Sequence, residues 1–375
     1  MRKPEDISTR KAQHLDICIE EDTYLVESGN TRLDEVFFLH TPLPELDTDS
    51  IDTGMEFLGL PVSLPFFISS MTGGSARGYL ANKELAVAAQ REGIAVGMGS
   101  IRILFRKPEV FEHFYLRKLA PDIPIFANLG GVQIRDMQAE TIHEMLRRLE
   151  VSALAVHLNP GQELFQTGGD RDFRGVIDGI ARFTEKCPVP VIVKETGFGI
   201  DPVSAAALLS GGVRYVNIAG AGGTNWITVE SYRESPELFA AAEEFRSWGT
   251  PTALLLTAMF PPEGGGNPLF QGRILASGGL RSGLDIAKSV AMGAEAAGFA
   301  LPFIRAVHQE GSEGVQKIIA RVRTVFRNAM ALTGSRSLDE FRRGPVWFGS
   351  QLTSDAAQYS SRVAEIFALS RSRHG

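Results

Sequence analysis

A chain of 375 residues with 44% apolar and 22% charged residues is close to average globular composition, which excludes disordered, collagen-like and coiled-coil classes. Its net charge of −6 offers no general basic field for nucleic acid, so any phosphate recognition has to be local. Two cysteines, Cys18 and Cys187, cannot build a disulfide framework and lack metal-site spacing, and no apolar run reaches the roughly 18 residues that span a bilayer.

The N-terminal stretch MRKPEDISTRKAQHLD is charged and has no apolar centre of the kind a signal peptide needs, so a reducing, cytoplasmic setting is expected. Residues 1–60 contain no βα unit and read as an arm and irregular cover. From there, short β-rich runs recur, each ending in small or polar residues and followed by a helical pattern. They are LPFFISS (64–70), IAVGMGS (94–100), IPIFANLG (123–130), ALAVHLN (153–159), PVIVKET (190–196), YVNIAG (215–220), RILASGG (273–279) and AAGFA (296–300). Eight strands alternating with helices predict a single (β/α)8 TIM barrel over 61–302, with C-terminal helices over 303–375.

The intervening segments YLANKELAVAAQREG, AETIHEMLRRLEV, DPVSAAALLSGGV and SGLDIAKSVAMGA have helical periodicity. TALLLTAM (252–259) is ambiguous; Gly249-Thr250-Pro251 supplies a cap with proline at the first helical position, so it is read as helix. The Gly- and Pro-rich loop at 261–268 is expected to be mobile.

In such a barrel the site forms at the C-terminal ends of the strands, and the unusual residues gather there. Ser277-Gly278-Gly279-Leu280-Arg281-Ser282-Gly283 offers glycines, hydroxyls and a cation before a helix, as a phosphate cradle would; a plain βα turn is the alternative. Lys194 ends the apolar strand PVIVK, where a hydrated cation needs a compensating anion. That anion is either a bound group or an internal partner such as Glu195 or Glu163. In HLNPGQE, the amides of Asn159 and Gln162 can orient a polar ligand and Glu163 can offer hard oxygen to Mg²⁺, with His157 either functional or structural. Arg10, Lys11 and His14 form either a binding cluster or a solvated charged face, and Arg102 has a guanidinium fork suited to phosphate.

Together these residues resemble the type 2 isopentenyl-diphosphate isomerases from Arg10 to about Phe341. The matching segments are TRKAQHL, SSMTGG, GSIR, ANLG, HLNPGQE, VKETGFG, AGAGGTNW, FRSWGTPT, ASGGLRSGLDIAK and GFALPF, of which HLNPGQE with AGAGGTNW is the most specific. The resemblance implies FMN held by Ser70, Met71, Thr72, Ser100, Asn128, Lys194, Thr224, Gly278, Gly279, Leu280, Arg281 and Ala300. It implies substrate contacts from Arg10, Lys11, Ser100, Arg102, His157, Asn159 and Gln162, with His157 and Gln162 as the catalytic pair and Mg²⁺ on Glu163.

Ile101 departs from the pattern, since many relatives carry glutamine there. The implied reaction moves a double bond between isopentenyl and dimethylallyl diphosphate with no net redox change. The resemblance further implies reduced FMN acting through N5 as the proton-transferring group, NADPH as an activating reductant only, and a homo-oligomer, a tetramer or octamer. The rival on the same barrel is an FMN-dependent 2-hydroxy-acid oxidoreductase. Those enzymes place a histidine before the glycine-rich turn of strand seven, where this chain reads Ile274-Leu275-Ala276-Ser277. A non-catalytic flavin- or phosphate-binding barrel is the third reading.

Overall fold

The computed structural model describes residues 7–264 and 266–372. Eight parallel strands close into a barrel: β1 (Phe66–Ile68), β2 (Ala95–Ser100), β3 (Ile125–Gly130), β4 (Ala153–Leu158), β5 (Val191–Glu195), β6 (Tyr215–Asn217), β7 (Ile274–Ala276) and β8 (Ala296–Phe299). Each pairs with its neighbour in sequence, and β8 closes on β1 through Ala297 opposite Phe66 and Phe299 opposite Ile68. All eight expected strands are present.

Period-two alternation sorts their side chains. Phe67, Ala95, Phe126, Ala153, Ala155, Ile192, Tyr215, Leu275 and Ala296 fill the barrel interior, while Phe66, Ile68, Val96, Ile125 and Val216 face the helices. The hairpin of Met55–Phe57 with Leu60–Val62 inserts Phe57 and Val62 into the same inner cluster, with Phe57 5.4 Å from Tyr215. The lower part of the barrel is therefore packed with hydrocarbon, and open volume remains at the C-terminal ends.

The helices used below are α1 (Ile7–Ile19), α2 (Ala76–Glu92), α3 (Ala139–Leu149), α4 (Pro160–Phe165), α5 (Val176–Thr184), α6 (Pro202–Ser210), α7 (Trp226–Ser231), α8 (Thr252–Met259), α9 (Gly283–Ala291), α10 (Leu301–Leu332) and α11 (Ser350–Ser372). Their ends obey local chemistry. Ser75 caps α2 and Gly93 ends it in the left-handed region; Asp201 caps α6 with Pro202 following; Ser282 and Asp285 form a capping box on α9.

TALLLTAM is helix α8, as expected, but Pro251 occupies the cap position itself and its side chain offers no cap bond. The expected mobility of 261–268 involves Gly265, which lies outside the described residues, as do 373–375 of the polar tail.

The arm is more regular than its sequence suggests. Leu15, Ile17 and Cys18 of α1 pack on Val26, Ala81, Val229, Leu301 and Ile304, which draws the helix over the mouth of the barrel. The strand Val36–Phe38 pairs antiparallel with Val346–Phe348 near the other end of the chain, so the expectation of irregular cover followed only by helices is corrected here.

Candidate active site

A cavity of about 240 Å³ opens at the C-terminal ends of the strands and is roofed by α1. Arg10, Lys11, Ser70, Met71, Thr72, Ser100, Arg102, Asn128, His157, Asn159, Gln162, Glu163, Lys194, Thr224, Gly278, Gly279, Arg281 and Ala300 all line it. Leu280 does not, because its side chain is fully buried in the hydrophobic core. Ile101 is equally buried in that core, so its side chain packs away from the cavity.

The turns after β6 and β7 form one wall. Gly278 and Gly279 have φ of 96° and 74°, and a Cβ on Gly278 would lie 2.0 Å from the Gly220 carbonyl oxygen, so only glycine lets the two turns meet. Thr252 Oγ1 donates to the Gly278 carbonyl at 2.7 Å, and Ser277 Oγ donates to Asn217 Oδ1 at 2.7 Å. Among the described residues the N–H groups of Gly278, Gly279 and Leu280 donate to no protein acceptor. Leu280 thus faces the turn with its amide, not its side chain.

The amides at the head of α9 are spoken for, since Arg281 N and Ser282 N both donate to Asp285 Oδ2 at 2.9 Å. Across the cavity the buried hydroxyls Ser70 Oγ and Thr72 Oγ1 have no partner. Free amides on one wall and orphaned hydroxyls on the other suit a phosphorylated polyol chain such as that of FMN. Arg281, expected as a phosphate ligand, here donates through Nε (2.8 Å) and Nη2 (2.5 Å) to Glu27 Oε1.

Deeper in the barrel, β3, β4 and β5 present Asn128, His157 and Lys194 side by side; His157 and Lys194 are register partners. Lys194 Nζ donates to the Glu195 main-chain oxygen at 2.6 Å. The Glu195 carboxylate instead accepts the amides of Gly197, Phe198 and Gly199, so the internal ion pair considered from sequence does not form. Burial pulls Lys194 down to about 8, with the Glu195 charge opposing.

His157 Nδ1 lies 2.6 Å from Asn128 Oδ1, and an amide oxygen can only accept. The imidazole therefore carries its proton on Nδ1 and presents Nε2 as an acceptor. Burial, with the charges of Lys194, Lys11 and Arg102, holds it down to about 3, so it is neutral across the physiological range.

At the mouth, Arg10, Lys11 and Arg102 converge, and among the described residues none forms an ion pair with a carboxylate. Lys11 Nζ donates to the Ser100 carbonyl at 3.0 Å and stands 5.8 Å above the centre of the Phe114 ring. Burial, then the neighbouring Arg10, pulls its ammonium down to about 7. Burial lowers Arg10 as well, against the opposing charges of Glu230 and Glu163, so the cluster is partly desolvated and has no direct carboxylate partner among the described residues.

Opposite it, Asn159 Nδ2 donates to Gln162 Oε1 (3.0 Å) and to Glu163 Oε1 (3.1 Å), and Asp170 N donates to Glu163 Oε2 (2.7 Å). No group of three His, Cys, Asp or Glu side chains is placed to hold a metal among the described residues. Glu163 fits Mg²⁺ only as a single carboxylate with other ligands coming from water or a bound anion.

The sequence reading missed Glu230. This fully buried carboxylate on α7 accepts Gln162 Nε2 at 2.7 Å and Arg233 Nη1 at 2.7 Å, with His14 Nε2 3.0 Å away. Burial alone would raise it; the close His14 imidazole, the bond from Gln162 and the charge of Arg233 together hold it down at about 2. A signal existed: in WITVES, which begins at the last residue of AGAGGTNW, Glu230 is the one charged group among Trp226, Ile227, Val229 and two hydroxyl residues, and a carboxylate buried there demands partners.

The chain matches the model of the FMN-dependent dehydrogenase family over residues 170–348. Among curated relatives, proteins named isopentenyl-diphosphate delta-isomerase are 39% identical in Borreliella afzelii (93% of this chain, 96% of the relative) and 41% identical in Nostoc sp. (89% and 94%). The protein of that name in Thermococcus kodakarensis is 39% identical over 90% of each chain.

Two solved structures share the fold at lower identity. A mutant flavocytochrome b2 with pyruvate bound has a TM-score of 0.65 at 18% identity, covering 92% of this chain and 84% of that one. A mutant mandelate oxidase with benzaldehyde has 0.56 at 18%, covering 90% and 95%. By the extent and level of identity to its curated relatives, the chain belongs to the isopentenyl-diphosphate delta-isomerase family.

Proposed function

We propose that this protein interconverts isopentenyl and dimethylallyl diphosphate, with reduced FMN in the cradle and Mg²⁺ on Glu163. The observation that carries the reading is the trio Arg10, Lys11 and Arg102, with Arg10 and Lys11 lowered by burial and none of the three paired to a carboxylate among the described residues, at one end of a cavity whose other end is a phosphate cradle. A flavin phosphate needs one anion site, and a diphosphate substrate needs a second.

The reaction adds a proton to the terminal alkene carbon and removes one from the carbon next to the diphosphate-bearing carbon. Bound reduced FMN would supply that proton donor and acceptor at the site. The protein's own residues do the rest. Arg10, Lys11, Ser100 and Arg102 hold the diphosphate, and Glu163 would be the protein's carboxylate toward a bound Mg²⁺. Asn159, Gln162 and neutral His157 orient the substrate, and Lys194 would supply a cation to offset the negative charge of a bound reduced flavin. The roof of α1 excludes water. NADPH serves as reductant only, and the arm (1–60), barrel (61–302) and C-terminal helices (303–375) act as one unit in a cytoplasmic homo-oligomer.

The 2-hydroxy-acid oxidoreductases share this barrel, so fold does not choose between the two activities. Ser277, hydrogen-bonded to Asn217, stands before the glycine turn where such an enzyme needs its histidine.

The test is redox balance. Anaerobically reduced enzyme with Mg²⁺ should convert isopentenyl diphosphate over many turnovers with its flavin still reduced, and in D₂O the product should gain deuterium in a methyl group. Consumption of one reductant equivalent per product, or turnover of a 2-hydroxy acid by oxidised enzyme, would overturn the proposal.

A further inference from the structure

We infer that Phe198 is a positioning residue: its ring is the wedge that sets the distance between α4, carrying Gln162 and Glu163, and α7, carrying Glu230. The inference rests on the roles given above to Gln162 and Glu163.

The main chain of Phe198 is fixed from both sides. Its N–H donates to the buried Glu195 carboxylate at 2.5 Å, together with Gly197 N (2.6 Å) and Gly199 N (3.3 Å), and its carbonyl accepts Thr250 N at 2.9 Å. Gly197 and Gly199, with φ of 141° and 99°, let the chain fold around that carboxylate.

The ring so anchored projects between the two helices. A Cβ on Gly161 would sit 2.7 Å from Phe198 Cε2, 3.1 Å from Cδ2 and 3.5 Å from Ile227 Cδ1. Ile227 of α7 and Phe198 share one buried cluster, against which Phe165 of α4 packs.

α4 has six residues and no side-chain bond at its cap, so a single turn of this kind depends on packing for its position. Gly161 adjoins Gln162, and Ile227 lies one turn before Glu230. The Gln162–Glu230 bond of 2.7 Å therefore spans a gap whose width the Phe198 ring decides.

A paired substitution tests this. Gly161→Ala adds one methyl against the ring, and the needed separation of roughly 3.5–4.0 Å between carbons forces a shift of about 1 Å. Alanine is the better helix former, so the variant should fold. We expect kcat/KM to fall on the order of 10²-fold and half-saturation by Mg²⁺ to rise, with FMN content and the reduced flavin spectrum unchanged. Phe198→Leu in the same chain removes the far edge of the ring and should restore most of the loss.

Crystal structures give a readout independent of turnover: the Gln162–Glu230 bond should open in Gly161→Ala and close again in the double variant. Wild-type kinetics for Gly161→Ala, a double variant no better than the single one, or an unmoved Gln162–Glu230 bond would each overturn the inference. A wild-type enzyme that fails to isomerise would sink the proposed activity instead, while the structures still decide the wedge.

Discussion

Raising the pH above neutrality should weaken substrate binding without unfolding the protein, and Lys11 is the reason. It is enclosed by the Ser100 carbonyl and the Phe114 ring, and burial followed by Arg10 brings it from 10.5 to about 7. A diphosphate beside it favours the ammonium, so above pH ~7 the enzyme must take up a proton to bind. Each pH unit then costs about 1.4 kcal/mol, a factor of about ten. From pH ~7 to ~9, KM should rise toward 10²-fold, with kcat changing little.

Folding has the opposite sign. The unfolded chain, with Lys11 at its ordinary value, binds more protons between about pH 7 and 10, so this group's contribution to stability rises with pH over the same window. Titration of Lys11 therefore cannot weaken binding by destabilising the fold. Initial rates with pre-reduced enzyme give the KM profile. Calorimetry with isopentenyl diphosphate and oxidised enzyme, in two buffers of different ionisation heat, counts the proton: nearly one at pH ~8, nearly none at pH ~6. Lys11→Arg, charged throughout, should flatten both. A level KM from pH ~7 to ~9 without proton uptake, or a slope surviving in Lys11→Arg, would refute the reasoning.

Glu230→Gln should lower kcat and alter acid stability. Because Glu230 sits at about 2 against an ordinary 4.5, its stabilisation is complete above about pH 4.5 and is lost as pH falls toward 2. Between about pH 5 and pH 3 the wild type should lose about 2 kcal/mol more than the variant in urea titrations, and equal losses would remove Glu230 from the charged network. Lys194→Ala should weaken FMN retention or shift reduced flavin toward its neutral form; equal flavin content with an unchanged reduced spectrum counts against the assigned cation. Glu163→Gln should keep FMN but raise the Mg²⁺ needed for half-activity about tenfold or more, because the amide keeps the shape and loses the charge. Coincident magnesium titrations would show that Glu163 is not the ligand.

The barrel was legible because each strand is a local pattern. Phe66-Phe67-Ile68 or Ala153 to Leu158 announces its own two faces, and the residue that breaks the apolar run, such as His157 or Lys194, announces the cavity end. Helix caps are equally local in their chemistry, as Ser282 with Asp285 shows in the fold. What stayed hidden involves distant partners or main-chain atoms. Nothing in Val36–Phe38 specifies pairing with Val346–Phe348, since a three-residue strand is too short to select its partner by pattern. Leu280 belongs to a recognisable cradle, yet the useful group is its amide, and a motif cannot say which atoms of a residue face a ligand.

The same distinction separates the two kinds of arginine in the site. Arg102 and Arg281 both read as phosphate ligands from sequence, because a guanidinium near glycines or hydroxyls at a strand end suggests an anion. In the fold Arg102 has no carboxylate partner among the described residues, whereas Arg281 is met by Glu27 from the arm. The arm is brought there by its main chain: Ser28 N donates to the Gly223 carbonyl, Asn225 N to that of Val26, and Thr31 fills the space above Gly222 and Gly279. An unpaired guanidinium draws an incoming anion at once, and a paired one must first exchange its carboxylate, so the two sites differ in affinity although their motifs look alike. That difference lies in the 254 residues separating Glu27 from Arg281, and only the closed fold brings them together.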